Sequence, residues 1–399
     1  MNRWTALPLG FLLAVSSTQA LSGPAPAPPA SRSAGKAKSP TDPARLRKES
    51  ILDAKNLVLG QLSASGTGSW DDWNASVEPF RVALRARIAA AKPNNPEAKG
   101  PSEGRYEVLE SLGDPPRFEA WPSSYLRYIT KAPLSTSGFI SQTAFVSSIG
   151  AISRWLASHG IDLIFVPVPK MTEVYPDQFV QETPADRIVS PPMRRAIHDL
   201  LDQGVEVVDL LPVFLEARKK KGPSLYQYCD PHWTWEGQRI ALEEIVKRLQ
   251  RYPVVRKAQA EPHLYRAFTE RRDLTAISAT LGALTAEQAT RVKPLLTYDV
   301  ELVVPLGTAP LTSETSPIAL AGDSFNNGLE ANLSHRLNLP IRDLHASGSS
   351  SPFKDLLRDP ESMKSIKVMI YLVSNPGLWE FPAKLPGEIS KFAAEPAGK

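Results

Sequence analysis

The sequence predicts an α/β fold, with a mostly parallel sheet between two layers of helices and a small helical region ahead of it. Three observations carry that prediction. Apolar runs without polar alternation recur at 161–168, 205–210, 317–321 and 366–373. Segments with apolar residues at helical spacing separate them, and glycines such as Gly160 and Gly322 punctuate the joins. Strands covered on both faces have no solvent side, so they read as nearly unbroken apolar runs, and the helices supply the cover.

Taken in order, residues 1–20 read as an export signal. Met1-Asn2-Arg3 gives a positive start, an apolar stretch runs from Trp4 to Val15, and Thr18-Gln19-Ala20 places small residues for cleavage near Ala20. About 12 apolar residues are too few for a spanning helix, which needs roughly 20. Residues 21–45, rich in Pro, Ala, Ser and Lys, show no apolar periodicity and read as an extended, disordered linker.

From 46 to 91, Ile51, Leu57, Leu59 and Leu62, then Val77, Phe80, Val82, Leu84 and Ile88, suggest two helices broken around Gly66-Thr67-Gly68. The polar stretch 93–104 marks a boundary, giving an N-terminal helical region over 46–130 and the α/β domain over 131–399. In that domain Phe145, Ile149, Ile152, Trp155 and Leu156 mark a helix that Gly160 stops, ahead of the strand at 161–168. Helices near 193–202 and 236–249 flank the strand at 205–210 and extend the alternation. The run at 317–321, a helix after Phe325, a short strand near Ile341 and the strand at 366–373 complete it. The stretch 273–304 fits either a helix or an inserted hairpin.

The whole chain has 399 residues, 42% hydrophobic and 22% charged, enough for a sizeable core. Its 46 basic and 42 acidic residues leave +4, too mild and too dispersed for a nucleic-acid surface, so no nucleic-acid partner is expected. The single cysteine excludes a disulfide scaffold, and Cys229 reads as a small buried apolar residue. The basic run 218–221 reads as stabilising the carboxyl end of a helix that stops at Gly222.

Two motifs carry chemistry. Gly322-Asp323-Ser324-Phe325 follows an apolar run and precedes a helix, which puts Ser324 at a strand-to-helix turn with its hydroxyl out of the sheet. Donors for an oxyanion there would be the Ser324 N–H and its neighbours. The plainer alternative is that Asp323 or Ser324 merely caps the helix. Asp230-Pro231-His232-Trp233 precedes a helix for which Thr234 is a plausible N-cap. A serine hydroxyl needs a base, which His232 can supply, and Asp230 is close enough to orient and stabilise the imidazole. The alternatives are a surface turn, or a metal site completed by His198 or His263. The chain lacks His-x-x-x-His or clustered Cys/His spacing, so neither a metal nor a cofactor is expected. All three residues belong on the carboxyl rim of the sheet, where open α/β folds place their sites.

At these residues the sequence resembles the SGNH hydrolase-like superfamily, and within it the secreted alginate O-acetyltransferase family of the AlgJ/AlgX type. The resemblance rests on the segments 160–176, 230–242 and 322–325 and spans roughly 141–373. In ordinary SGNH hydrolases the serine block opens the domain and the histidine block closes it. Here the Asp-x-His block comes first, with a one-residue spacer, as in the acetyltransferases. The resemblance implies that Ser324 is acylated, that His232 is general base and acid, and that Asp230 orients it. It further implies a periplasmic or secreted enzyme with a polysaccharide acceptor and an acetyl donor delivered by a membrane-bound O-acyltransferase. An esterase or deacetylase with the same triad, or a non-catalytic polysaccharide-binding assembly protein, are the alternatives.

Trp121, Trp233 and Trp235 are candidate sugar-facing aromatics, with packing as the alternative for each. Arg336, Arg342 and Asn375 are candidates for polar groups beside the site, with surface positions as the alternative. The glycine-tryptophan-leucine-phenylalanine segment that usually opens the family's domain has no counterpart; Phe118-Glu119-Ala120-Trp121 and Ser137-Gly138-Phe139 come nearest. Only Asn375 to Lys399 follow the last strand, so the carbohydrate-binding module of some members is not expected.

Overall fold

The computed structural model describes residues 42–91, 97, 107–121, 142–273, 281–307, 313–344, 356 and 360–374; the expected export signal and nearly all of the linker lie outside these. Three helices open the described chain where the spacing suggests two. The first, α1 (Pro43–Ala64), starts on Asp42, whose carboxylate accepts from the Ala44 N–H at 3.0 Å. It stops ahead of Gly66, which takes the left-handed φ of +71°. Ser69 caps α2 (Trp70–Ser76), and Pro79, tolerated only in a first helical turn, makes Val77 the joint to α3 (Glu78–Ala90). A small antiparallel ribbon follows, β1 (Glu107–Glu110) with β2 (Phe118–Trp121).

The alternation runs through α4 (Gln142–Ser158), β3 (Asp162–Val168), the single turns α5 (Met171–Val174) and α6 (Pro176–Phe179), then α7 (Pro191–Asp202) and β4 (Glu206–Val207). It continues with α8 (Leu211–Lys219), α9 (Trp235–Leu249) and α10 (Pro253–Ala260). Next comes an antiparallel hairpin, β5 (Tyr265–Asp273) and β6 (Thr297–Pro305), with α11 (Ala286–Val292) between its strands. The ambiguous stretch 273–304 therefore holds both a helix and a hairpin strand. The elements β7 (Ile318–Gly322), α12 (Leu329–Leu337), β8 (Arg342–Asp343) and β9 (Val368–Ser374) complete the domain.

The five-stranded sheet has the order β4-β3-β9-β7-β8, and every pairing in it is parallel. Successive side chains alternate faces, so each central strand feeds two cores. Ile164, Val166, Ile318, Leu320, Ile370 and Leu372 join one, with α3, α8, α9 and α12 above them. Leu163, Phe165, Ala319, Ala321, Met369 and Val373 join the other, beneath α1, α4 and α7. At roughly 1.5–3 kcal/mol for each fully buried aliphatic side chain, these two layers are the main favourable term in folding. The first helices share in both, through Ala54 and Val58 on one face and Phe80, Leu84 and Ile88 on the other.

The strand expected over 205–210 shortens to Glu206–Val207 for a local reason. The Val208 N–H donates to the Phe165 carbonyl at 2.9 Å. Two residues further along β3, on the same edge, stands Pro167, which has no N–H to extend the ladder. Glu206 itself is fully buried and receives both guanidinium nitrogens of Arg251, with Arg47 of α1 at 3.8 Å.

The basic run at 218–221 closes α8 as expected, with Arg218 and Lys219 in its last turn. Arg218 turns inward, its guanidinium donating to both Asp177 carboxylate oxygens at 2.5 and 2.6 Å and to the Val174 and Ala185 carbonyls at 2.9 Å each. It anchors α8 to the turns after β3, and α8 ends at Lys219. Among the described residues no helix is long and apolar enough to cross a membrane.

Candidate active site

The carboxyl end of β7 is a turn that only glycine permits. Gly322 has φ +153°, and a Cβ there would lie 1.7 Å from the Leu372 carbonyl oxygen and 2.2 Å from the Asn326 amide nitrogen. The tight approach to β9 swings the chain out of the sheet. Asp323, not Ser324, takes the capping role that was the plainer reading of this motif. Its Oδ1 accepts from the Phe325 N–H at 3.1 Å, and its Oδ2 accepts from the Ser374 N–H and hydroxyl, both at 2.7 Å. Ser324 then opens a single 3-10 turn, Ser324–Asn326, and Gly328 at φ +77° leads into α12.

The Asp-Pro-His segment is the turn of a small hairpin. Tyr226 and Trp233 bridge antiparallel, the Gln227 N–H donates to the His232 carbonyl at 3.0 Å, and the Thr234 N–H to the Leu225 carbonyl at 2.9 Å. Thr234 caps α9 as expected, its hydroxyl accepting from the Gly237 N–H at 3.5 Å. Across the turn, Asp230 Oδ1 accepts from the His232 backbone N–H at 2.9 Å and lies 2.5 Å from its Nδ1. The other ring nitrogen, Nε2, is 2.8 Å from Ser324 Oγ. Two motifs 92 residues apart thus meet as one constellation.

Donor and acceptor logic sets the tautomer. An ionised carboxylate only accepts, so Nδ1 carries the proton and Nε2 presents its lone pair to the serine hydroxyl. Phe325 packs its ring 4.8 Å from the imidazole and Trp233 packs on Phe325 at 5.4 Å, which fixes the ring plane. Burial pushes the His232 pKa down. The hydrogen bond and charge of Asp230, with a further contribution from the Asp323 charge, outweigh it and leave the pKa above the ordinary value of 6.5. A base that binds its proton more firmly when charged is suited to taking one from a hydroxyl.

The oxyanion donors differ from the expectation. The Phe325 N–H is taken by the Asp323 carboxylate and the Asn326 N–H by the Asp323 carbonyl at 3.0 Å. Within this turn the Ser324 N–H has no hydrogen-bond partner among the described residues.

A family model described as "SGNH hydrolase-like domain, acetyltransferase AlgX" matches residues 135–383, well over half of the chain. The chain belongs to this acetyltransferase family. No curated protein matches it. Among solved structures, the O-acetyltransferase domain of Pseudomonas putida AlgJ is similar at TM-score 0.53 and 15% identity, covering 72% of this chain and 98% of that one. Pseudomonas aeruginosa AlgX follows at TM-score 0.45 and 17% identity, over 67% of this chain and 61% of that one. Bacillus cereus PatB1 with a sulfonyl adduct has TM-score 0.38 and 12% identity, over 63% and 94% of the two chains. The AlgJ likeness shows the shared fold, and the family match agrees with the resemblance carried by the two motifs.

Other candidates of this AlgX-type domain lie elsewhere or pack. Arg342 pairs opposite Ala319, below the rim, and donates to the Ser362 carbonyl. Arg336 sits over the Trp235 ring at 5.9 Å and 3.7 Å from Glu301. Trp233 is buried, and Trp235 packs half-buried against the core. Asn375, Ser137-Gly138-Phe139 and the Trp121 side chain lie outside what the structure describes. His198 lies tilted against Trp70 with ring centres 5.7 Å apart and 3.4 Å from Asp199, and among the described residues neither it nor His263 joins a group of three or more His, Cys, Asp and Glu placed to hold a metal. Cys229 is buried with Phe118, Val292 and Leu296 beneath the hairpin. Asp323 is the participant that motif reading missed as a charge beside His232, since in the sequence it reads only as a cap.

Proposed function

We propose that this protein is an exported O-acetyltransferase that moves an acetyl group through an ester on Ser324 to hydroxyls of an exopolysaccharide. The observation that carries the reading is the imidazole of His232 held between Asp230 and Ser324 at 2.5 and 2.8 Å. Membership of the acetyltransferase family supports the acyl group and the polysaccharide class, with an alginate-type polymer as acceptor.

In the first half-reaction Nε2 takes the Ser324 proton as Oγ bonds to the acetyl carbonyl carbon, and the Ser324 N–H receives the oxyanion. Collapse breaks the bond to the donor's leaving oxygen, which collects the proton from His232. A sugar hydroxyl then gives its proton to Nε2, attacks the acyl carbon and releases Ser324, which recovers the proton. Asp230 holds the tautomer and balances the imidazolium each time it forms. The donor is an acetyl group handed over by a membrane-bound O-acyltransferase, and residues 1–20 direct the chain to the periplasm.

The test uses the purified chain, an activated acetyl ester and an oligosaccharide acceptor. Intact mass should show one acetyl group on the wild type and none on Ser324→Ala, and acetylated oligosaccharide should depend on Ser324. Acetate released regardless of acceptor would replace transfer by hydrolysis. Undiminished polymer acetylation by Ser324→Ala would remove the catalytic reading altogether.

A further inference from the structure

Arg117 lies between β1 and β2, ahead of the 135–383 stretch that carries the family match, yet its side chain reaches the segment leading into the Asp230–His232 turn. Its side chain is only 4% exposed. The guanidinium fans out to three partners on two segments. Nε donates to the Gln178 side-chain oxygen at 2.8 Å, and Nη1 donates to Ser224 Oγ at 2.8 Å and to the Tyr226 carbonyl at 3.1 Å. It also contacts two aromatic rings, 4.2 Å from the centre of Tyr175 and 4.6 Å from that of Tyr228. Among the described residues no carboxylate pairs with this buried cation.

These contacts converge on one structure. Ser224, Tyr226 and Tyr228 form the incoming arm of the hairpin whose turn is Asp230-Pro231-His232. The next residue, Phe118, donates its N–H to the Tyr228 carbonyl at 2.6 Å. The Tyr175 hydroxyl oxygen accepts from the Leu225 N–H of the same arm at 3.1 Å, and the Tyr226 hydroxyl donates to the Pro169 carbonyl at 2.5 Å. Tyr298 of β6 accepts from the Tyr228 N–H at 3.0 Å. Among the described residues the arm joins no named strand; beyond the Tyr226–Trp233 bridge and a few backbone hydrogen bonds, these side chains anchor it.

We propose that Arg117 is a positioning residue for the Asp230–His232 pair: it fixes the incoming arm of the hairpin so that the imidazole meets Ser324 at the reacting distance. This rests on the acyl-serine reading above. The segment 107–121 is then part of the catalytic apparatus, although it precedes the family's matched region. Only a planar, five-donor guanidinium satisfies three divergent acceptors while stacked on aromatic rings, so lysine is not an equivalent.

The experiment compares full-length wild type, Arg117→Met, Arg117→Lys and Gln178→Ala, with Ser324→Ala as the control for the acyl-serine reading. It follows Ser324 sulfonylation by phenylmethanesulfonyl fluoride and turnover of an acetyl ester across pH, normalised to folded protein by circular dichroism. Arg117→Met is expected to lose ~10²-fold in kcat and in sulfonylation rate, the scale of a misplacement of about 1 Å, with KM changed less than about threefold. The acid limb of kcat/KM should move down as Asp230 loses its alignment, and Arg117→Lys should not restore it. A lowered melting temperature with wild-type kcat and an unmoved limb would overturn the proposal, leaving Arg117 a stabilising residue only. If Arg117→Met does not fold, Gln178→Ala decides: a several-fold loss of kcat with a shifted limb supports the role, and wild-type behaviour overturns it. Wild-type reactivity in Ser324→Ala would instead defeat the acyl-serine reading, a distinguishable result.

Discussion

Replacing Asp230 by asparagine removes one negative charge and keeps the shape. The amide oxygen can still accept from the His232 backbone N–H, which the carboxylate now does at 2.9 Å, and from Nδ1. The loss is therefore mainly electrostatic. With about 4 Å between the charge centres and an effective dielectric near 20, the pair is worth about 4 kcal/mol when the imidazole is charged, as it is in both transition states. At about 1.4 kcal/mol per decade this is ~10³-fold in kcat. The side chains of His232 and Asp230 are 31% and 19% exposed, so solvent screening brings the expectation to about 10²- to 10³-fold.

The same substitution changes the pH profile, with a definite sign. The base works only when neutral, so kcat/KM rises as pH passes the His232 pKa, which lies above 6.5 in the wild type. Asp230→Asn removes the main raising contribution and leaves burial, so the limb moves acidward. The stability linked to the raised pKa is fully present below the unfolded value and is lost as pH rises through the folded one. The variant should therefore lose more stability under acidic conditions than at alkaline pH. Initial rates on an acetyl ester from acidic to alkaline pH, with urea melts at both ends, check both points. A kcat within threefold of wild type with an unmoved limb would refute the assignment of Asp230.

Gly322→Ala should cost about 1–3 kcal/mol and ~10²-fold in kcat, because a Cβ 1.7 Å from the Leu372 carbonyl forces either β9 or the Ser324 turn to move; full activity in an acetyl-ester assay would contradict the geometry. Glu206→Ala strands the buried Arg251 cation and should lower stability by about 3–5 kcal/mol in urea titration, with activity per folded molecule kept; a loss under about 1 kcal/mol would show the pair to be replaceable.

How far the sequence could be read depended on whether the signal was local. The apolar runs became β3, β7 and β9 because a strand covered on both faces needs an apolar residue at every position. Thr234 capped α9 because capping is decided within four residues. The short helix α2 was absent from the spacing, whose second apolar set begins only at Val77; Ser69 as its cap and Pro79 in the first turn of α3 are the local signals that divide this stretch. Arg218 read as a helix-end charge, but its length lets it reach Asp177, which no short-range pattern encodes. The neighbours of Ser324 looked available as oxyanion donors until Asp323 was seen to occupy them.

By itself the sequence determined the layers of the fold, the turn that presents Ser324, and the pairing of residue types that can act as nucleophile, base and orienting carboxylate. Those follow from periodicity, from a glycine-only backbone turn, and from the acid-base chemistry of the side chains. Only the tertiary structure decided that Nε2 of His232 meets Ser324 Oγ at 2.8 Å, that Asp323 adds its charge beside the imidazole, and that Arg117 grips the hairpin from outside the family's core. Each is a contact between segments far apart in the chain, set by how the sheet and its helices pack.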